Sequence, residues 1–163
     1  MFVRDAHFSK RLRAIHDAVL DIVAVINRPE LDDVLLKEAD VRLERALFPL
    51  IVLIGRFGPI GVVDLAGRVG RDHSTVSRQI GQLTAMGLVT RRKNRTDGRS
   101  REAVVTAEGA AMNEHIDVAR ERLGRRALAD WSASDLDHLA TLMQRYAAAL
   151  KNPVPDQAPR DQK

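Results

Sequence analysis

The feature that most constrains the fold lies between residues 62 and 106. Two short runs with apolar residues at helical spacing end at Gly70 and Gly87, with a tight link between them. Glycine often ends a helix because it adopts the left-handed conformation without steric cost. Two β-like runs, 88–92 and 101–106, then surround a polar turn in which Asp97-Gly98 is a strong hairpin signal. The pattern predicts helix, turn, helix and hairpin in immediate succession.

This order is that of a winged helix-turn-helix, so we predict a mainly α fold with a small β-hairpin wing. The spacing of the apolar residues gives each short helix an inward face. Those predicted inward positions are Val62, Leu65, Ala66 and Val69 in the first helix and Val76, Ile80 and Leu83 in the second.

The second of these helices leaves hydroxyls, amides and one arginine on its outward face, with no acid among them. Small hydroxyl side chains let a helix approach phosphates, and Arg and Gln can hydrogen-bond to base edges in the major groove. We therefore expect this helix to read DNA. The predicted contacts of the recognition helix are His73, Ser74, Thr75, Ser77, Arg78, Gln79 and Gln82.

Positive charge is concentrated at the predicted hairpin. Residues 91–101 hold six Arg or Lys and one Asp, a net charge of +5, whereas the whole chain carries +4. A basic loop on a nearly neutral chain favours a polyanionic partner. Asp97, two residues before Arg99, is expected to brace that side chain or to cap the turn. The predicted wing contacts with the phosphate backbone or the minor groove are Arg91, Arg92, Lys93, Arg95, Arg99 and Arg101.

Longer helices are predicted on both sides of this core, and the first and last carry apolar seams with alternating steps of three and four residues. Such seams bury little alone but much when paired across a two-fold axis, so we interpret 8–28 and 107–150 as dimerisation helices. Packing of the seams onto the chain's own core is the alternative. Ser132 and Asp135 form a capping-box pattern before the last helix. The seam residues are Leu12, Ile15, Val19, Ile22 and Ile26, then Leu136, Leu139, Met143, Tyr146 and Leu150.

The segments between these helices are less regular. Residues 30–40 are predicted to form a connection with a short helical turn, and about 41–55 a helix with Leu43, Leu47, Leu50 and Ile54 on one face. Pro49 either kinks that helix or marks its true start, and both readings stay open. Residues 1–150 are predicted to form a single domain with the winged core at 41–106. The Pro-rich polar stretch 151–163 is predicted to be disordered.

Residues 58–109 resemble the winged-helix core of the multiple antibiotic resistance regulator (MarR-type) family of bacterial transcription regulators. Flanking helices of the expected number and order extend the resemblance over about 8–150, although Pro49 departs from the usual helical pattern. The matching residues are Leu65-Ala66, Ser74-Thr75-Val76-Ser77-Arg78, Gly87-Leu88-Val89, Asp97-Gly98-Arg99, Val105-Thr106 and Gly109.

The resemblance implies a homodimer with recognition helices in successive major grooves of double-stranded DNA, and hence a pseudo-palindromic operator. We expect a repressor that a small, often phenolic, effector releases from DNA. The effector would bind between the dimerisation helices and the winged core, with His16, Phe48 and Phe57 as candidate lining residues. The alternative function is a winged-helix interaction or architectural module without promoter-specific regulation.

Catalysis, metal binding and a membrane location are not indicated by the sequence. The chain has no cysteine, and its histidines form no HxxxH or HExxH pair. The glycine-containing stretches GPIG and GRVG lack the further Gly or Lys of a phosphate-binding loop. We expect no enzyme activity, no metal and no cofactor. The longest apolar run, 46–54, is too short to span a bilayer and the N-terminus lacks a signal-peptide core, so we expect a cytoplasmic protein.

Overall fold

The computed structural model describes residues 2–94 and 101–151, with side chains from residue 7 onward. Predicted wing residues Arg95, Asp97 and Arg99 lie outside the described residues, as does all of the predicted tail except Lys151, which ends the last helix. The described elements are α1 (Phe2–Ile26), α2 (Pro29–Glu38), α3 (Phe48–Phe57), β1 (Ile60–Gly61), α4 (Val62–Val69), α5 (His73–Ala85), β2 (Val89–Lys93), β3 (Arg101–Val105), α6 (Ala107–Ala127) and α7 (Ala133–Lys151).

The predicted fold class is confirmed: the protein is mainly helical, with a small antiparallel sheet beside the α4–α5 pair. The strands lie in the order β1-β3-β2. The hairpin register pairs Val89 with Val105 at one end and Lys93 with Arg101 at the other. The strand β1 was not predicted, because two residues within a glycine-proline turn carry no readable alternation. It pairs with β3 through Ile60 opposite Ala103.

Pro49 marks the start of α3 and does not kink it. Proline fits the first turn of a helix because the N–H that it lacks has no intrahelical partner there. The predicted helix over 41–55 is therefore wrong before Phe48, where residues 41–47 form an irregular connection. The expectation for 30–40 is also incomplete, since α2 is a ten-residue helix with Pro29 in its first turn.

The chain divides into two compact units, Met1–Leu123 and Gly124–Lys163. In the first unit, α3, α4, α5 and the sheet enclose the larger core, and every residue predicted to face inward from α4 and α5 is buried there or packed against it. A smaller cluster joins α2, α3 and α6. The larger cluster is Leu47, Leu50, Ile51, Ile54, Ile60, Leu65, Ala66, Val76, Ile80, Leu83, Leu88, Val89 and Ala103. The smaller is Leu36, Ala39, Phe48, Ile116 and Ala119.

In the second unit, the predicted capping box at the start of α7 is confirmed. The Asp135 N–H donates to Ser132 Oγ at 3.1 Å, and the Ser132 hydroxyl and N–H donate to Asp135 Oδ2 at 2.6 and 3.2 Å. These hydrogen bonds stabilise the ionised carboxylate and hold the pKa of Asp135 below its ordinary value.

Candidate nucleic-acid interface

The turn between α4 and α5 is held by consecutive residues. Gly70 has φ 63°, the left-handed conformation that closes α4, and the Arg71 N–H bonds back to the Ala66 carbonyl at 3.2 Å. Asp72 then caps α5, since its Oδ1 accepts from the Ser74 hydroxyl at 2.6 Å and from the Thr75 N–H at 2.8 Å. Those bonds, Ser74 first, hold the pKa of Asp72 well below its usual range. The carboxylate of Asp72, which precedes the predicted DNA-binding helix, is thus hydrogen-bonded to the first turn of that helix.

The exposed face of α5 matches the prediction at most positions. Ser74, Arg78 and Gln82, four residues apart in sequence, lie exposed along one stripe, and His73 is exposed at the first position of the helix. Thr75 and Ser77 beside that stripe are half-buried. The helix carries no acidic residue, so its outer surface would not repel phosphate.

Gln79 is a correction to the predicted recognition face. It was expected to point outward, but it is only 8% exposed. Its Oε1 accepts from Arg71 Nη1 at 3.2 Å, and the same nitrogen donates to the Ala46 carbonyl at 2.8 Å. Gln79 lies three residues after Val76 and four before Leu83, so it belongs to the stripe that packs on the core. That spacing could have revealed its burial; the role of Arg71 had no sequence signal.

Two of the predicted wing cations are held by the protein itself. Arg91 Nη2 donates to the Ser77 carbonyl of α5 at 2.9 Å, which fastens the hairpin to the helix. Arg92 Nε lies 3.3 Å from Glu102 Oε2, and Asn94 Nδ2 donates to Glu102 Oε1 at 2.7 Å. Glu102 therefore braces the described part of the wing. Glu102 carries no sequence signal for this role, because its partners Asn94 and Arg92 are eight and ten residues away from it and meet it only through the hairpin register.

Lys93 and Arg101 face each other at the open end of the described hairpin. They are directly opposed in the register, and both are exposed. Like charges directly opposite each other destabilise a strand pair. A bound anion would relieve that repulsion, so this end of the hairpin is suited to a phosphate group.

The candidate effector residues lie at three different places in the described chain. His16 is exposed on α1, whereas Phe48 is buried in the smaller core cluster. Phe57 lies at the far end of α3, with the Arg68 guanidinium 3.9 Å from its ring centroid. Phe48 and Phe57 occupy opposite ends of a ten-residue helix, and the effector role of these three side chains stays a prediction.

A cavity of about 580 Å³ lies instead along α3, β3 and α6 of the first unit. Among its lining residues, Asn113 donates from Nδ2 to the Ile51 carbonyl at 3.0 Å. Its Oδ1 is buried and has no hydrogen-bond partner among the described residues. Charged groups of both signs, Arg56, Glu114 and Asp117, also line the cavity.

Within the ranges 2–94 and 101–151, no group of three or more potential metal ligands comes together. In the same ranges, no helix is both long enough and apolar enough to cross a membrane.

Comparison with known proteins gives the family. The sequence model of the MarR family matches residues 43–100. An uncharacterized HTH-type transcriptional regulator of Bacillus subtilis (strain 168), YxaD, is 31% identical over 107 residues, which make up 66% of this chain and 75% of that protein. The chain belongs to the MarR family. It is a transcriptional regulator of that family, as the resemblance in the winged core implies.

Solved structures of MarR family proteins share the fold. A MarR family protein from Bacillus stearothermophilus superposes with a TM-score of 0.70 at 15% identity, over 87% of this chain and 97% of that one. A Listeria monocytogenes protein assigned to the MarR family, crystallised with a 26mer DNA, gives a TM-score of 0.64 at 22% identity, over 80% of this chain and 87% of that one. At these identities the likeness establishes the architecture alone.

Proposed function

We propose that this MarR family member is a sequence-specific repressor that binds a pseudo-palindromic operator as a homodimer in the cytoplasm and performs no catalysis. The observation that carries the proposal is the acid-free stripe of Ser74, Arg78 and Gln82 on α5. The major groove of DNA admits an α-helix, and Arg78 can hydrogen-bond to a guanine edge in two places. The DNA-bound Listeria structure supports this use of the shared fold.

The wing supplies the non-specific part of the affinity. Arg91 joins β2 to the backbone of α5, so the hairpin and the recognition helix approach DNA as one piece. The opposed pair Lys93 and Arg101 then lies where the hairpin can follow the phosphate backbone. Neutralised phosphates release counterions, which makes the affinity fall with salt.

Removing either opposed cation tests this role. Lys93→Gln or Arg101→Gln should reduce the slope of log affinity against log salt by about 0.9 per lost phosphate contact, hence about 1.8 for two wings. Lys37→Gln, which removes an exposed charge from α2, is the matched control. The measurement is fluorescence anisotropy of a labelled duplex at several salt concentrations. Slopes equal to that of the control would contradict phosphate binding by this pair.

The proposed homodimer rests on apolar faces that stay exposed in the single chain. On α1, Leu12, Ile15 and Ile22 are 48%, 45% and 42% exposed, and on α7 Met143 and Leu150 are 49% and 62% exposed. These are members of the seams that the sequence predicts, and Val19 and Tyr146 are the half-buried members. Contiguous exposed apolar surface of this kind marks an interaction site. A second copy of the chain is the partner that a two-fold operator requires.

A charge placed in the α1 seam should separate the dimer. Ile22→Glu brings two carboxylates into the apolar interface, and we expect monomers at micromolar concentration, with operator affinity reduced together with the dimer. Val63→Glu is the control, since Val63 is an exposed apolar residue on α4 outside the seams. Size-exclusion chromatography with light scattering gives the mass. An unchanged dimer for Ile22→Glu would refute α1 as the interface.

The proposed effector is a small aromatic or phenolic compound, and the cavity beside Asn113 is its best-supported site. Asn113 lines the cavity, and a rotation of its side chain would let the unpartnered Oδ1 accept from a phenolic hydroxyl. We expect phenol to raise the melting temperature of the wild type and to leave that of Asn113→Ala unchanged, because only a ligand of the folded state stabilises it. Thermal-shift titration measures both. An equal rise in the two proteins would exclude this cavity.

A further inference from the structure

One side chain, that of Arg71, links α5 to the connection before α3 by hydrogen bonds. Arg71 Nη1 donates to two acceptors: the Ala46 carbonyl, 25 residues earlier, and Gln79 Oε1, two turns into α5. The Ala46 carbonyl is available because the Leu50 N–H bonds to the Leu47 carbonyl at 3.1 Å. One guanidinium nitrogen therefore joins the turn before α5, the second turn of α5 and the connection before α3.

The local backbone fixes where Arg71 reaches. Gly70 in the left-handed conformation and the bond from the Arg71 N–H to Ala66 set the direction in which the chain leaves α4. Asp72 begins α5 immediately afterwards. Because the residues on both sides are held, Arg71 has little backbone freedom. Its hydrogen bonds to Ala46 and Gln79 therefore form only at one angle between α5 and the turn.

We infer that Arg71 and Gln79 are specificity-determining positioning residues, which set the angle and depth of the recognition helix without touching DNA. The inference rests on the proposed DNA-binding function. A bidentate contact with a base edge depends on donor placement within a few tenths of an ångström. A helix that rotates slightly keeps its phosphate contacts and loses its base contacts.

The surroundings of Arg71 argue against a direct phosphate contact. Arg71 lines an open cavity of about 420 Å³ together with Asp32, Glu44 and Arg45. A phosphate entering there would meet two carboxylates as well as the guanidiniums. Gln79 is uncharged and only 8% exposed, so it is even less suited to a direct contact with DNA.

The test compares operator and random-sequence DNA for the full chain. Arg71→Gln and Gln79→Met each remove the bond, and we expect the ratio of operator to random-sequence affinity to fall about tenfold or more in each. Affinity for random-sequence DNA should change less than about twofold. Gln79→Glu keeps an acceptor for Arg71, so we expect it to retain most of the wild-type ratio of operator to random-sequence affinity. Lys37→Gln is the control for loss of one positive charge.

A double-mutant cycle decides whether the two residues act together. If Arg71 works through Gln79, the double variant Arg71→Gln/Gln79→Met loses no more specificity than either single variant. Circular dichroism melts identify any variant that is unfolded at the assay temperature, and Gln79→Glu then provides the folded comparison. Additive losses, or a lowered salt slope for Arg71→Gln beyond that of the control, would overturn the inference in favour of a phosphate contact. A wild type without sequence preference would instead refute the proposed function itself.

Discussion

Arg78→Ala should remove most of the sequence preference of the protein. Arg78 lies exposed at the centre of the α5 stripe, between Ser74 and Gln82. A bidentate arginine–guanine pair contributes about 1–3 kcal/mol of discrimination, so two copies in a homodimer account for about 2–6 kcal/mol of operator affinity. Fluorescence anisotropy with an operator duplex and a random-sequence duplex, at one fixed salt concentration, gives the affinity for each DNA.

The comparison of the two duplexes identifies the kind of contact. Base reading predicts a large loss on the operator and a small one on random DNA, whereas Lys37→Ala changes neither appreciably. Equal losses on both duplexes would show that Arg78 binds a phosphate, and the readers of the bases would have to be sought among Ser74 and Gln82.

Gly109→Ala should strongly destabilise the fold, although alanine is the better helix former. A β-carbon at position 109 would overlap the Leu88 carbonyl oxygen and would lie 3.4 Å from Ile51 Cδ1. The carbonyl is backbone at the start of the hairpin and cannot move without shifting β2. Overpacking of this kind costs about 3 kcal/mol, which urea denaturation followed by circular dichroism would detect.

A second glycine provides the matched control. Gly67 lies within α4, and a β-carbon there would meet nothing within 4 Å. Gly67→Ala should therefore stabilise the protein by about 0.5–1 kcal/mol, through the lower conformational entropy of the unfolded chain. If Gly109→Ala were as stable as Gly67→Ala, the close approach of α6 to Leu88 would not exist in solution.

Much of the fold could be predicted because the winged core is specified locally. Gly70 and Gly87 end helices, the sequence Asp97-Gly98 favours a hairpin turn, and the apolar spacing of α4 and α5 sets which faces are buried. From the sequence alone, Pro49 could either kink a longer helix or mark the start of a shorter one. Which of them holds depends on the packing of Leu47 and Phe48 in two different clusters, and no local pattern reports such packing.

The candidate site was predictable where it depends on one helix and not where distant segments meet. The exposed stripe of α5 follows from periodicity alone. Gln79 was misplaced because a polar side chain was assumed to face solvent, whereas Arg71 supplies it with a buried partner. The role of Glu102 was not predicted for the same reason, since its hydrogen bonds to Arg92 and Asn94 cross the hairpin. Of the predicted effector residues, Phe48 and Phe57 lie at opposite ends of α3, which aromatic character alone does not indicate.

The most direct test of the central claim is selection from a random duplex library at two salt concentrations, followed by sequencing of the retained DNA. We expect enrichment of a two-fold symmetric site with half-sites about one helical turn apart, and an affinity that falls steeply as salt rises. Strong binding without enrichment would contradict sequence-specific regulation and favour an architectural role. An absence of binding at low salt would contradict the assignment of α5 and the basic hairpin as a DNA interface.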